Sequence, residues 1–166
     1  MRDSELKLDL AGPRKWPRLV FGVGLRPAKI PLWVMRVLIV DEEPGIRRTT
    51  RIAVETAGHT AAEAPGGVRA LKLLEEERFD ACFLDLKLGT DDGLEVLARL
   101  LKAQPGLAVV MFTAYANVAT AVEAMRRGAF DFIPKPFTPD QIRAVLATVE
   151  KNSALETRVR SLETQL

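Results

Sequence analysis

Apolar runs of four or five residues recur from Val37 onward, and each is followed by a stretch whose apolar positions repeat at helical spacing. Val37-Leu38-Ile39-Val40, Ala81-Cys82-Phe83-Leu84 and Ala108-Val109-Val110-Met111-Phe112 contain no polar alternation. Such runs suit strands buried on both faces of a parallel sheet. Asp131-Phe132-Ile133-Pro134 reads as a further strand, and the small residues 60–64 as a weak one. Between them the period changes to that of a helix. Pro44 opens the first, where a missing N–H costs nothing, and Ile46, Thr49, Thr50, Ala53, Val54 and Ala57 mark its inner face up to Gly58. The second helix is predicted to turn Val68, Leu71 and Leu74 inward, the third Leu94, Leu97 and Leu101, and the fourth Val118, Ala121, Val122 and Met125. Thr138 and Pro139 supply an N-cap and a first-turn proline to the fifth, whose inner face is Ile142, Leu146 and Val149. Five strand–helix units joined by right-handed crossovers predict a three-layer sandwich with helices on both faces of the sheet.

The helical pattern continues past that inner face to the last residue. Val145, Thr148, Asn152, Leu155, Val159, Leu162 and Leu166 alternate in steps of three and four, as the a and d positions of a coiled coil do, with Asn152 at an a site. Lys151 and Arg158 then fall at g and Glu156 and Glu163 at e, which makes a parallel homodimer the expected assembly of residues 151–166. The opposite terminus is different. Residues 1–34 have no sustained period and are punctuated by Pro13, Pro17, Pro27 and Pro31, so they are expected to be an irregular extension, with Met35 the true start. A basic arm bearing Trp16 and Trp33 is the alternative.

The predicted strands share one chemical feature: each long one ends in a reactive polar group. The first runs into Asp41-Glu42-Glu43, the third into Asp85, the fourth into Thr113 and the fifth into Lys135. In an open parallel sheet those ends form one rim, where such folds place their chemistry. Asp41, Glu42 and Asp85 would face one another there, and three crowded carboxylates call for a bound cation. Oxygen-only ligands select a hard ion, best magnesium, while Lys135 and Thr113 could meet a phosphoryl group.

Charge and composition narrow the function further. The net charge of +2 conceals an asymmetry, because residues 1–34 hold seven Lys/Arg against three acids and leave the remainder at −2. A nucleic-acid footprint on the domain itself is not expected. The single cysteine, Cys82, sits inside an apolar strand, so a disulfide framework is excluded and a reducing, cytoplasmic setting is expected. No apolar run reaches the roughly 18–20 residues of a membrane span. His59, after Gly58, reads as a solvated turn residue.

V-L-I-V-D-E-E, F-L-D-L-K-L-G-T-D-D-G-L, V-M-F-T-A-Y and G-A-F-D-F-I-P-K-P-F, with 28 residues from Asp85 to Thr113 and 22 from Thr113 to Lys135, resemble the receiver domain of bacterial two-component response regulators. The likeness covers residues 35–150 and is nearest to receivers of NtrC-type (sigma-54) activators. The resemblance implies a flavodoxin-like (βα)5 fold with a five-stranded parallel sheet of order 2-1-3-4-5. It implies a sensor histidine kinase as partner, Asp85 as phosphoacceptor, and magnesium held by Asp41, Glu42, Asp85 and the backbone carbonyl of Lys87. Lys135 would pair with the acyl phosphate, Thr113 and Phe132 would be the switch residues, Lys87 and Tyr115 would tune dephosphorylation, and Lys135-Pro136 would be a cis peptide. Such a domain is a phosphoacceptor rather than an enzyme with turnover.

Several positions depart from the family's pattern. Gly89 and Leu88 replace its usual proline and methionine, so the loop after Asp85 is expected to be looser, and Glu42 is one methylene longer than an aspartate ligand. A flavin module would want a loop of free N–H groups after the first strand, and the chain has Asp-Glu-Glu-Pro there instead. An aspartyl-phosphate phosphatase would use Asp41 and Glu43, which leaves Asp85 and Lys135 unexplained. The remaining alternative is the N-terminal fragment of an NtrC-like DNA-binding activator.

Overall fold

A computed structural model describes residues 34–114 and 118–165. The predicted extension, apart from Val34, therefore lies outside the described residues, as do Tyr115 and Leu166. Strand β1 (Arg36–Val40) leads to α1 (Pro44–Thr56), β2 (Thr60–Ala64), α2 (Gly67–Glu76) and β3 (Ala81–Asp85). A two-residue pair follows, β4 (Lys87–Leu88) and β5 (Asp91–Asp92), then α3 (Gly93–Ala103), β6 (Ala108–Thr113), α4 (Val118–Arg126), β7 (Asp131–Pro134) and α5 (Pro139–Thr164). The main sheet is parallel, in the order β2-β1-β3-β6-β7. Counted without the small β4–β5 pair, that is the expected 2-1-3-4-5.

The strand pleat sorts the core into two layers, because successive side chains leave opposite faces. Leu38, Val40, Cys82, Leu84, Val109 and Met111 pack on one side with Ala70 and Leu73 of α2 and Val96, Leu97 and Leu100 of α3. Val37, Phe83, Val110 and Phe112 pack on the other with Ala53 and Val54 of α1 and Ile142, Leu146 and Val149 of α5. Cys82 is fully buried, and burial pushes its thiol far above the ordinary cysteine range, consistent with a role in packing. The caps follow the sequence: Thr138 and Gln141 exchange hydrogen bonds in a capping box at the start of α5, and Pro44 and Pro139 occupy the first turns of α1 and α5.

Three readings of helix faces change. Val68 is exposed, and α2 buries Ala70 and Leu73 instead. On α4 the supposed inner stripe is turned outward: Val118 is 75% exposed, Val122 51% and Met125 44%, and among its described residues only Ala124 is buried. Helical period locates an apolar stripe without saying whether it meets the body of its own chain. On α5 the first seam position, Val145, is 7% exposed and belongs to the core, so a free stripe begins only beyond Val149. His59 also differs from its reading: it is half-buried, and its Nδ1 accepts the Met35 N–H at 3.1 Å, tying the start of β1 to the α1–β2 turn.

Candidate functional site

The carboxyl ends of β1, β3 and β7 meet as the alternation predicted. Asp41, directly after β1, is fully buried, and Asp85 closes β3 with 6% of its surface exposed. Lys135 follows β7 and reaches between them, its Nζ donating to Asp41 Oδ2 at 2.8 Å and to Asp85 Oδ2 at 3.0 Å. Glu43 Oε1 stands 3.9 Å from the same ammonium. The other carboxylate oxygens are held locally, Asp41 Oδ1 by the Glu43 N–H at 2.9 Å and Asp85 Oδ1 by the Lys87 N–H at 3.2 Å. Main-chain contacts set the frame: Lys135 N–H donates to the Thr113 carbonyl at 2.6 Å, and Leu86 N–H to the Phe112 carbonyl at 2.8 Å. The Lys135-Pro136 peptide is cis.

Two buried carboxylates share one ammonium, which leaves a net negative charge in a poorly solvated place. Burial raises the Asp85 carboxyl above its ordinary value, and the Asp41 charge adds to this, while the Lys135 and Lys87 hydrogen bonds oppose it. For Lys135, burial acts to lower the ammonium, but the hydrogen bonds and charges of Asp41 and Asp85 outweigh it and hold the group above its ordinary value. The two directions agree physically: the lysine gains two anionic partners, whereas each aspartate gains part of one cation. Among the described residues no three carboxylate, histidine or cysteine side chains are already gathered around one point able to hold a metal. The donor set nevertheless suits a hard cation, since all its ligating atoms are oxygens and the Asp41–Asp85 pair is undercompensated.

Glu42 and Lys87 stand apart from this cluster. Glu42 is exposed, and its Oε2 lies over Gly89, 3.2 Å from where a Cβ would sit at that position. Gly89 has φ +57° and turns the short β4–β5 pair as a two-residue hairpin, with Leu88 buried beneath it. A first central residue at positive φ is what glycine provides at no steric cost. Lys87 has an exposed side chain, while its backbone N–H braces Asp85. Thr113 is buried at the end of β6, and Phe132 is 37% exposed on the edge strand β7. Of the remaining site residues, Tyr115 lies outside the described residues.

Two contributors were not evident from motif reading. Gly93 allows α3 to start against the end of β3, because a Cβ there would lie 2.4 Å from the Leu86 carbonyl oxygen and 2.6 Å from that of Asp85. The neighbouring Asp92 caps the helix by accepting the Leu94 N–H. Arg47, one turn into α1, donates to the carbonyls of Asp41 and Glu42. Its place on the helix that follows the acidic loop was the available signal.

Comparison with known proteins agrees with this fold. A family model described as the response regulator receiver domain matches residues 37–147. The alginate biosynthesis transcriptional regulatory protein AlgB of Pseudomonas aeruginosa is 43% identical over 131 residues, a match covering 79% of this chain and 29% of that relative. The chain thus spans under a third of the length of that relative. Among solved structures, the receiver domain of NtrX from Brucella abortus superposes with TM-score 0.66 at 36% identity, over 69% of this chain and 98% of that one. A response regulator protein from Burkholderia pseudomallei, solved with a phosphorylated aspartic acid, calcium ion and citrate, gives TM-score 0.65 at 32% identity, over 76% of this chain and 74% of that one.

Proposed function

The chain belongs to the response regulator receiver family of two-component systems, similar to NtrC-like regulators, and we propose that Asp85 is the residue that takes the phosphoryl group. The carrying observation is the shared ammonium, with Asp85 and Asp41 both within 3.0 Å of Lys135 at the rim. A carboxylate can attack a phosphoryl group in line only if the incoming oxygens find positive charge. Lys135 supplies one such charge. A divalent cation, magnesium in this reading, would supply the other when bound by Asp41, Glu42, Asp85 and the Lys87 carbonyl. Glu42 must leave its place over Gly89 to take part.

The donor is a sensor histidine kinase, and Asp85 Oδ attacks the phosphorus as the bond to the histidine nitrogen breaks. The acyl phosphate places new negative charge beside buried Thr113, whose hydroxyl is drawn toward it. Phe132, outward here, follows Thr113 inward and changes the surface of α4 and β7. Lys87 and Tyr115 flank the approach of water and set how long the acyl phosphate lasts. The domain therefore assists its own phosphorylation and dephosphorylation without turning over a free substrate, and it works in the cytoplasm. Among the described residues no helix is long and apolar enough to cross a membrane. Incubation with acetyl phosphate should incorporate one phosphoryl group with magnesium and essentially none with excess chelator, read by intact mass. Equal incorporation in both would defeat the cation-assisted mechanism.

The second half of α5 supports a homodimer. Leu155, Val159 and Leu162 are 61%, 52% and 56% exposed, in the three–four spacing of a coiled-coil seam. Asn152 would pair with its equivalent and fix a parallel register. Output control, whether by a following domain as in the longer NtrC-like activators or by a separate partner, would then pass along this helix. Truncation after Lys151 should turn a dimer into a monomer in sedimentation, and identical monomeric behaviour of both chains would remove the seam.

A further inference from the structure

The acidic loop between β1 and α1 is pinned from two sides. On one, the Asp41 carboxylate accepts the Glu43 N–H at 2.9 Å and so folds the loop back on itself. On the other, the Arg47 guanidinium donates through Nη1 to the Asp41 carbonyl at 2.7 Å and to the Glu42 carbonyl at 3.1 Å. One donor group therefore holds the peptide oxygens of both loop residues among the three whose carboxylates are proposed to bind the cation.

Arg47 is itself anchored. Its side chain is only 16% exposed, and its Nε lies 4.0 Å from Glu63 Oε1 on β2. Glu63 is held in turn by Arg51, one helical turn further along α1, at 2.8 Å. The chain of contacts runs from the edge strand through α1 to the loop. None of these groups reaches Asp85 or Lys135 in the contacts described above.

We propose that Arg47 is a positioning residue for the cation site, fixing the Asp41–Glu42 backbone so that both carboxylates can turn toward Asp85, with Glu63 as its anchor. The inference rests on the receiver reading and deepens it. A guanidinium suits the task because the two N–H bonds of Nη1 are fixed in the guanidinium plane and can satisfy two carbonyls while Nε faces Glu63, which a freely rotating lysine ammonium does less well. Partners that orient metal ligands in this way commonly change metal affinity 10–100-fold when lost.

Charge alone makes the opposite prediction. A cation near the site repels a divalent ion, so deleting it would tighten binding if Arg47 acted only through its charge. Titration of magnesium into the full chain by calorimetry separates the two, using Arg47→Gln, Arg47→Lys and Glu63→Gln. Positioning predicts a dissociation constant raised about 10-fold in Arg47→Gln, less in Arg47→Lys, and about two- to three-fold in Glu63→Gln. Amide exchange at Glu42 and Glu43 should speed up in the same order, and circular dichroism checks that each variant is folded. Tighter binding in Arg47→Gln with an unchanged Arg47→Lys, or unchanged affinity in all three, overturns the proposal. If Arg47→Gln fails to fold, the Glu63→Gln affinity and amide exchange decide it alone. Absence of magnesium binding by the wild type would instead bring down the receiver reading together with this one.

Discussion

The rim around Lys135 and the face formed by α4 and β7 are neighbours in one fold and are held in opposite ways. At the rim, Asp41 and Asp85 are buried, Lys135 is half-buried, and hydrogen bonds of 2.8 and 3.0 Å join them, each group placed by a different strand end. On the α4 face, Val118, Val122, Met125 and Phe132 stand in solvent, and Ala124 is the one buried residue that α4 contributes among those described. Chemistry that moves a phosphoryl group needs groups set in advance, because reorganising charge during the reaction raises the barrier. A surface that must change when the chemistry is done is better held weakly, and elements with few buried apolar contacts open at low free-energy cost.

The largest effect that would break this contrast is expected at the rim. Lys135→Met leaves two buried carboxylates facing each other with no cation, which should cost about 3 kcal/mol of stability in cation-free buffer, measured by urea unfolding. Added magnesium should recover much of that loss. The sign of the pH dependence follows from the raised groups. Lys135 stabilises the fold below its ordinary value of about 10.4, a contribution lost as pH rises through its higher folded value, so wild type but not Lys135→Met should weaken there. Asp85 works the other way: with its folded value raised, stability falls as pH climbs from about 4 through that value, and acidification should narrow the deficit of Lys135→Met. A variant as stable as wild type at neutral pH would mean that the rim is not the tightly coupled cluster described.

The smaller effect sharpens the other side. Val122→Ser should change stability by no more than about 0.5 kcal/mol, as a substitution on an exposed face. Leu97→Ala, fully buried on α3 in the same core layer that takes Ala124 of α4, should cost about 2–5 kcal/mol. If Val122→Ser costs as much as Leu97→Ala, α4 is a packed core helix and the proposed readout surface is wrong.

How far the sequence carried differs between these same regions. Strand ends were readable because unbroken apolar runs bounded by Asp85, Thr113 and the Asp41 and Lys135 segments fix both the strand and its last residue. Caps at Pro44, Thr138 and Pro139 were equally local. Helix orientation was less so: Val118, Val122 and Met125 obey the spacing of an inner face, and only the tertiary structure shows that the described residues leave them exposed. Val145 satisfies the coiled-coil and the core pattern at once, and its burial resolves the overlap in favour of the core. Gly89 shows the same limit, since a glycine alone does not reveal its φ, and only the backbone shows the positive value that turns the hairpin. Arg47 and Glu63 were out of reach because their contact joins α1 to β2 through side chains, with no spacing rule behind it.

The central claim is that Asp85, held by Lys135, is where the phosphoryl group is received. Intact-mass measurement after incubation with acetyl phosphate and magnesium should show one phosphoryl adduct on the wild type and none on Asp85→Asn, with the variant still folded. An adduct of equal extent on Asp85→Asn would place the acceptor elsewhere and contradict the account.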